Sequence, residues 1–393
     1  MVSVAGKRLH EEEAGMRILA VTNMYPTLRH PAVGNFVHQQ IVGLRRIGLE
    51  VEVLFINRAQ GGMGSYFRLA TEVQDRIERF QPDLVHVMYG GVLSERVTKV
   101  VKERPIVVSF CGSDLLGEYL SGALRGVLSE CGVFASCLAA WRADGVIVKS
   151  RNLESALPAS VDRSKVRIIP NGISLERFKP IDQTDSQKKL GWKLNTFHVL
   201  FPANNGDLVK RPGLAQAAIE MANELGLGVE MHPLLGVPHE DVPLWLNASD
   251  VVLLTSSHEG SPNVIKEALA CNVPVVSVDV GDVRERIDGI DGCHIALPDP
   301  CDLVTKLALV KSRGSRIAGR ERIRCLSLEN VSLCLNDFYR RTVESYHKQK
   351  EVGRSGVDAK ALVEFYGLFQ ARRRKIKKVI KETLHHESIR GLP

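Results

Sequence analysis

The densest set of side chains able to do chemistry lies in His258–Ala268, directly after the apolar run Asp250–Thr255. Ser261 suits a helix N-cap and Pro262 suits a first helical position. The spacing therefore predicts a strand, a loop and a helix, with Gly260, Ser261, Pro262, Asn263 and Val264 at the turn between them. Free N–H groups of a first helical turn bind phosphate oxygens. Glu259, in the loop, can hydrogen-bond a sugar hydroxyl. Glu267 lies roughly 7 Å further along the helix at about 1.5 Å per residue. Its side chain leans back toward the helix start, where it can grip a ribose diol. Asn272 is placed to end the helix in a left-handed C-cap.

Several competing chemistries lack their residues. No GxGxxG follows the first apolar run, and the cluster Gly61-Gly62-Met63-Gly64 has the wrong spacing. There is no GxxxxGK[ST], no HExxH and no Asp-x-Asp pair to hold a divalent cation. A site with no metal and no resident cofactor is expected.

The elements that must position these residues form two similar series. Met16–Thr22, Glu50–Ile56, Asp83–Val87, Pro105–Phe110 and Asp144–Val148 are short, apolar and rich in Val and Ile. Asn35–Ile47 carries Val37, Ile41 and Leu44 at helical spacing before Gly48. The pattern restarts with Phe197–Pro202, Val229–Met231, Asp250–Thr255, Val273–Val278 and Cys293–Ala296. Helical stretches Gly213–Leu225, Asn263–Ala270 and Cys301–Leu309 fall between those runs. Apolar strands separated by helices make parallel sheets covered on both faces. The expected fold is α/β, with two doubly wound Rossmann-like domains facing across a cleft and ligands at the carboxyl ends of the strands.

The expected divisions are a disordered leader, 1–15; a first domain, 16–178; a polar linker, 179–195; a second domain, 196–327; a long helix, 328–350; and a tail, 351–393. In the tail, Leu362, Phe365, Phe369, Ile376, Ile380 and Leu384 share one helical stripe. Arg372–Lys381 holds seven cations and no acid; without it the chain balances at 45 charges of each sign. The basic excess thus belongs to the tail, and the body has no nucleic-acid footprint. An amphipathic basic helix over 358–386 suits an anionic membrane surface, or packs its stripe on the body. No run reaches the roughly 20 apolar residues of a membrane span, and no signal peptide is evident. Eight cysteines without a CxxC pair, Cys137 and Cys334 among them in apolar segments, read as buried reduced thiols of a cytoplasmic protein.

Glu259, seven residues and Glu267 resemble the paired-glutamate motif of family 4 retaining glycosyltransferases of the GT-B fold. Val166–Pro180 (VRIIPNGISLERFKP) is similar to that family's inter-domain segment, and Val209–Pro212 to its cationic loop. Asp250-Val251-Val252 and Val278–Glu285 match the flanks of the glutamate motif; Tyr25-Pro26, Gly34 and Asn35–Ile47 resemble the family's first loop and helix. The similarity runs from Met16 to about Lys348. It implies a GT-B fold and a nucleotide-diphosphate sugar as co-substrate. Lys210 and Arg211 would neutralise the leaving diphosphate in place of a metal. Gly34 would let backbone approach that diphosphate from the first domain. Glu259 would hold the donor sugar and Glu267 the ribose.

Departures from the family pattern have chemical meaning. Cys111 stands where many relatives carry a histidine near the reacting sugar, making it a candidate sugar or acceptor contact. A thiol is a poor hydrogen-bond donor and a poor proton carrier at an ordinary pKa. Asp114 is the candidate to bind the acceptor hydroxyl, and equally a helix cap. Asn205 removes a phosphate cation that Arg211 would offset. Ser174 replaces an aspartate, and Asn272 a glycine, which its tolerance of left-handed backbone allows.

The resemblance implies a metal-independent retaining transferase, with Glu259, Lys210 and Asp114 as its catalytic set. Its acceptor would be a polysaccharide or a lipid-linked glycan, met in the cytoplasm or at the inner face of the cell membrane. A nucleotide-sugar epimerase with the same cleft is a second reading. A membrane-associated scaffold that has lost turnover is a third, motivated by Cys111 and Asn205.

Overall fold

The computed structural model describes residues 15–27, 33–57, 65–117, 123–203, 208–352, 363–368, 370–372 and 374. The first lobe is a six-stranded parallel sheet, ordered β2-β1-β3-β4-β5-β6. Its strands are β1 (Arg17–Thr22), β2 (Glu50–Phe55), β3 (Leu84–Met88), β4 (Ile106–Phe110), β5 (Gly145–Val148) and β6 (Val166–Ile168). The second lobe is a five-stranded parallel sheet, ordered β11-β10-β9-β7-β8. It comprises β7 (Phe197–Phe201), β8 (Val229–Pro233), β9 (Val251–Leu254), β10 (Val275–Val278) and β11 (His294–Ala296). Every residue of β3, β4, β5, β7, β9 and β10 is buried, as strands covered on both faces must be.

The crossover between lobes is shorter than the polar composition suggests. Within the expected linker 179–195, Gln183–Leu190 is a helix capped by Asp182. It belongs to the second lobe, because Gln187 donates to the Ala248 carbonyl and Gln183 to Asp250. The chain crosses near Ile173, whose amide donates to Leu326 and whose carbonyl accepts from Leu328, so outgoing and returning strands touch.

The returning helix, Leu328–Val352, packs on the first lobe. Val331, Leu335, Phe338 and Tyr339 join Ile18, Val37 and Ile41 in one buried core. The Tyr339 hydroxyl lies 2.7 Å from Nδ1 of buried His86, whose Nε2 lies 2.7 Å from the Ser109 hydroxyl. Burial drives His86 down to about 3.

The described part of the tail packs on the first lobe, not away from it. Phe365 is buried against Val133, Cys137 and Trp141. Glu364 accepts from the amides of Ala159 and Ser160, and Arg372 pairs with Glu130. Leu362, Phe369, Ile376, Ile380 and Leu384, like residues 1–14 of the leader, lie outside the described residues. Among the described residues no helix is long and apolar enough to cross a membrane. All eight cysteines are free, but the expectation of uniform burial fails: Cys137 and Cys271 are buried, whereas Cys334, Cys131, Cys301 and Cys325 are exposed. Val331 and Leu335 face the core, whereas Leu333 and Cys334 lie on the exposed side of the same helix.

Candidate active site

The glutamate-bearing helix is built almost as its residues dictate. Asn263–Ala270 follows β9 through the loop 255–262, and Asn272 takes the left-handed conformation, φ 57°. The N-terminus is one residue later than expected. Pro262 is the N-cap, and Ser261 makes no capping bond. Its hydroxyl instead donates to Asp282 at 2.9 Å and accepts from Lys266 at 3.2 Å. A buried carboxylate competes for the hydroxyl more strongly than a helix amide does.

Glu259 is met by the cation expected near it. Lys210 Nζ donates to its carboxylate at 2.5 Å, and the Ser256 hydroxyl donates to the same oxygen at 2.7 Å. Both charged side chains are mostly buried, at 15% and 16% exposure, so the pair is poorly screened. Lys210 is thereby tied to the loop 255–262 that leads into the helix Asn263–Ala270. Arg211 is placed differently. Its guanidinium donates to the carbonyls of Thr255 at 2.5 Å and Ser256 at 2.9 Å, and burial lowers its pKa. It braces the loop after β9 and supports Lys210. Asn205, which it was expected to offset, lies outside the described residues.

Glu267 is buried, and His239 Nε2 lies 3.4 Å from its carboxylate. Arg177 in turn reaches His239 Nδ1 at 2.8 Å. A cavity of ≈ 160 Å³ opens there between Phe36 and Gln39 of the first lobe, Ser174 and Phe178 of the crossover, and Asn263 and Glu267 of the second lobe. The start of the helix thus faces an inter-lobe space. Gly34 stands at φ 70° before Asn35, and a Cβ there would lie 2.3 Å from the Met24 carbonyl carbon. Its close backbone approach is to the chain's own first loop.

The lobes meet at Cys111–Gly112 and Glu259–Gly260. A Cβ on Gly260 would fall 2.0 Å from the Cys111 carbonyl oxygen. Asn152 donates across the same seam to the Glu259 carbonyl at 3.2 Å. Asp114 is not presented to this seam as a free carboxylate. It is buried and accepts from the amides of Gly90 at 2.9 Å, Cys111 at 3.0 Å and Gly112 at 2.7 Å. Burial raises its pKa while those amides oppose the shift. Asp114 lies inside the short helix Ser113–Leu116, whose N-cap is Gly112, and its carboxylate fixes the loop that carries Cys111. Burial pushes the Cys111 thiol up to about 12, with Asp114 adding to the effect.

Three further polar residues escaped the sequence reading. Lys266 is fully buried; its ammonium donates to Asn171 O at 3.1 Å and Ser261 Oγ at 3.2 Å, and burial lowers it to about 8. A lysine within the apolar face Val264, Ile265, Ala268 and Leu269 was the available signal. Lys149, directly after the apolar run 145–148, is 2% exposed. His239 gave no sequence signal, since only the tertiary fold brings it to Glu267.

Two doubly wound lobes facing across such a seam define the GT-B fold. Residues 13–177 match the model of Glycosyltransferase Family 4, and residues 206–310 that of Glycosyl transferases group 1. The chain belongs to the family 4-type glycosyltransferases and is an enzyme of that kind. It is 26% identical over 333 residues to a putative teichuronic acid biosynthesis glycosyltransferase of Bacillus subtilis, across 68% of this chain and 82% of that one. It is 27% identical over 235 residues to the D-inositol 3-phosphate glycosyltransferase of Mycobacterium tuberculosis, across 51% of this chain and only 48% of that protein. Sucrose-phosphate synthase from Thermosynechococcus elongatus superposes with a TM-score of 0.67 at 17% identity, covering 84% of this chain and 100% of that one. Anabaena HepE in complex with UDP and glucose does so at 0.56 and 19%, covering 82% and 98%. At such identities the structural likeness speaks for the fold.

Proposed function

We propose that the protein transfers a sugar from a nucleotide-diphosphate sugar to a hydroxyl of a surface polysaccharide or lipid-linked glycan, retaining anomeric configuration and using no metal ion. The observation that carries this reading is the Lys210–Glu259 pair beside the start of the helix Asn263–Ala270, at the inter-lobe seam. A buried ammonium and helix-terminal amides are a sufficient set to stabilise a departing diphosphate. Glu259 shares its carboxylate between Lys210 and Ser256, which holds it rigidly enough to orient a sugar hydroxyl. Glu267 borders the adjoining cavity, where a ribose diol fits. Retention follows if the departing phosphate deprotonates the acceptor on the face it leaves. No covalent enzyme nucleophile is needed, and Cys111, held neutral by burial, does not offer one. The teichuronic acid and HepE relatives supply the suggestion of a polysaccharide acceptor and a uridine nucleotide.

The test is transfer from radiolabelled UDP-sugars to a membrane or glycan fraction, with and without EDTA. Lys210→Met and Glu259→Gln should each reduce transfer at least 100-fold, the scale of losing one preorganised electrostatic contact. Melting temperatures should stay close to the parent value. Undiminished transfer by both variants, or abolition of activity by EDTA, refutes the reading. Isomerised donor appearing without acceptor would replace it with an epimerase.

A further inference from the structure

Lys149 immediately follows β5 and Cys111 immediately follows β4; Phe110 and Val148, the preceding residues, are register partners. Both residues therefore leave the sheet side by side at the carboxyl ends of neighbouring strands, the ligand edge of a doubly wound domain. Lys149 is 2% exposed, yet among the described residues no hydrogen bond engages its ammonium. Its electrostatic neighbours are Cys111, Asp114, the buried neutral His86 and, across the seam, Lys266.

The acids nearby are already committed. Asp114 is occupied by three backbone amides, and Asp282 by Ser261 and Arg286. Lys266 has two oxygen partners of its own, so the cation without one is Lys149. An ammonium with no hydrogen-bond partner beside a second ammonium is relieved when an anion joins it, and amide-bound Asp114 is a carboxylate whose charge already acts on it. The neutral Cys111 thiol is no such anion.

We propose that Lys149 is the specificity residue for an acidic donor sugar, its ammonium receiving the carboxylate of a uronosyl group. This rests on the nucleotide-sugar reading above. The diphosphate is expected at Lys210 and the helix start, on the second lobe. Lys149 comes from the opposite lobe, on the strand end beside Cys111, whose carbonyl abuts Gly260 of the second lobe. A hexuronate brings one negative charge to that point, and a neutral hexose brings none.

Isothermal titration of the full chain with UDP, UDP-glucose and UDP-glucuronate tests this, using the parent, Lys149→Met and Lys149→Arg. The parent should bind UDP-glucuronate at least 10-fold more tightly than UDP-glucose. Lys149→Met should erase that preference, keep UDP affinity within about twofold, and melt no lower than the parent, since a buried unpaired charge is removed. Lys149→Arg should retain part of the preference. UDP binding with no carboxylate preference in the parent, or a preference that survives Lys149→Met, overturns the role of Lys149 alone. So does a Lys149→Met variant that melts several degrees lower, because the lysine is then structural. Failure of the parent to bind any of the three overturns the uridine donor and this inference with it, whereas binding of another nucleoside diphosphate alone would leave the broader donor reading standing.

Discussion

Gly260 is where one added carbon tests whether the two lobes must touch for turnover. A Cβ at that position would sit 2.0 Å from the Cys111 carbonyl oxygen and 3.1 Å from Leu153 Cδ1. Real Cβ atoms stay beyond 3.0 Å, and the partner atom is backbone, so Gly260→Ala must part the two loops by about 1 Å or more. The Asn152 bond to the Glu259 carbonyl lies in the same contact and would lengthen with it. Each lobe has its own core, so global stability should change little. A misplacement near 1 Å between reacting groups lowers the rate by about 100-fold. That corresponds to about 2.7 kcal/mol of transition-state stabilisation. Lys210, Glu259 and Glu267 all lie on the second lobe, so nucleotide affinity should be kept within a few-fold. Steady-state transfer gives kcat, titration with nucleotide gives Kd, and thermal melting checks the fold. Parent-like kcat in Gly260→Ala would refute the claim that this contact aligns the reaction. A large fall in nucleotide affinity would refute the division of labour between lobes.

Further outcomes follow from the first lobe and its coverings. His86 is held neutral in the fold, at about 3, whereas an unfolded histidine titrates near 6.5. The unfolded chain thus binds more protons below about 6.5, so stability should fall as pH drops, by up to about 1.4 kcal/mol per unit. Urea denaturation at pH 7, 6 and 5 measures this; His86→Gln should flatten the dependence, and an unchanged slope counts against it. Phe365→Ala removes a buried ring from the Trp141 contact, a loss of about 3 kcal/mol or more. Limited proteolysis should then cleave the tail much faster while leaving the body intact; equal cleavage would show that the ring does not dock the tail.

The strands and the glutamate helix were legible because burial on both faces leaves a clear mark, unbroken Val and Ile runs between turn residues. Asn272 was legible for a similar local reason, as few side chains tolerate positive φ. What failed depended on partners distant in sequence. Ser261 could have capped the helix, but Asp282, brought in by a different loop, takes its hydroxyl. Arg211 looked like a phosphate ligand until carbonyls of the loop after β9 claimed it. Asp114 had two readings of equal local merit, and neither anticipates its bond to the amide of Gly90, 24 residues away. Gln183–Leu190 read as linker because its surface is polar, and only its contacts with 247–250 show which lobe owns it.

The returning helix Leu328–Val352 has a consequence for how the polypeptide is made. One face of the first sheet is sealed by Val331, Leu335, Phe338 and Tyr339, which leave the ribosome only after the whole second lobe. Until then Ile18, Val37 and Ile41 lack their cover, and His86 lacks the Tyr339 hydroxyl. The amino-terminal half must wait, incompletely closed, while the other half is synthesised. A fragment ending before residue 328 would therefore present an oily, aggregation-prone surface, however complete its strand order.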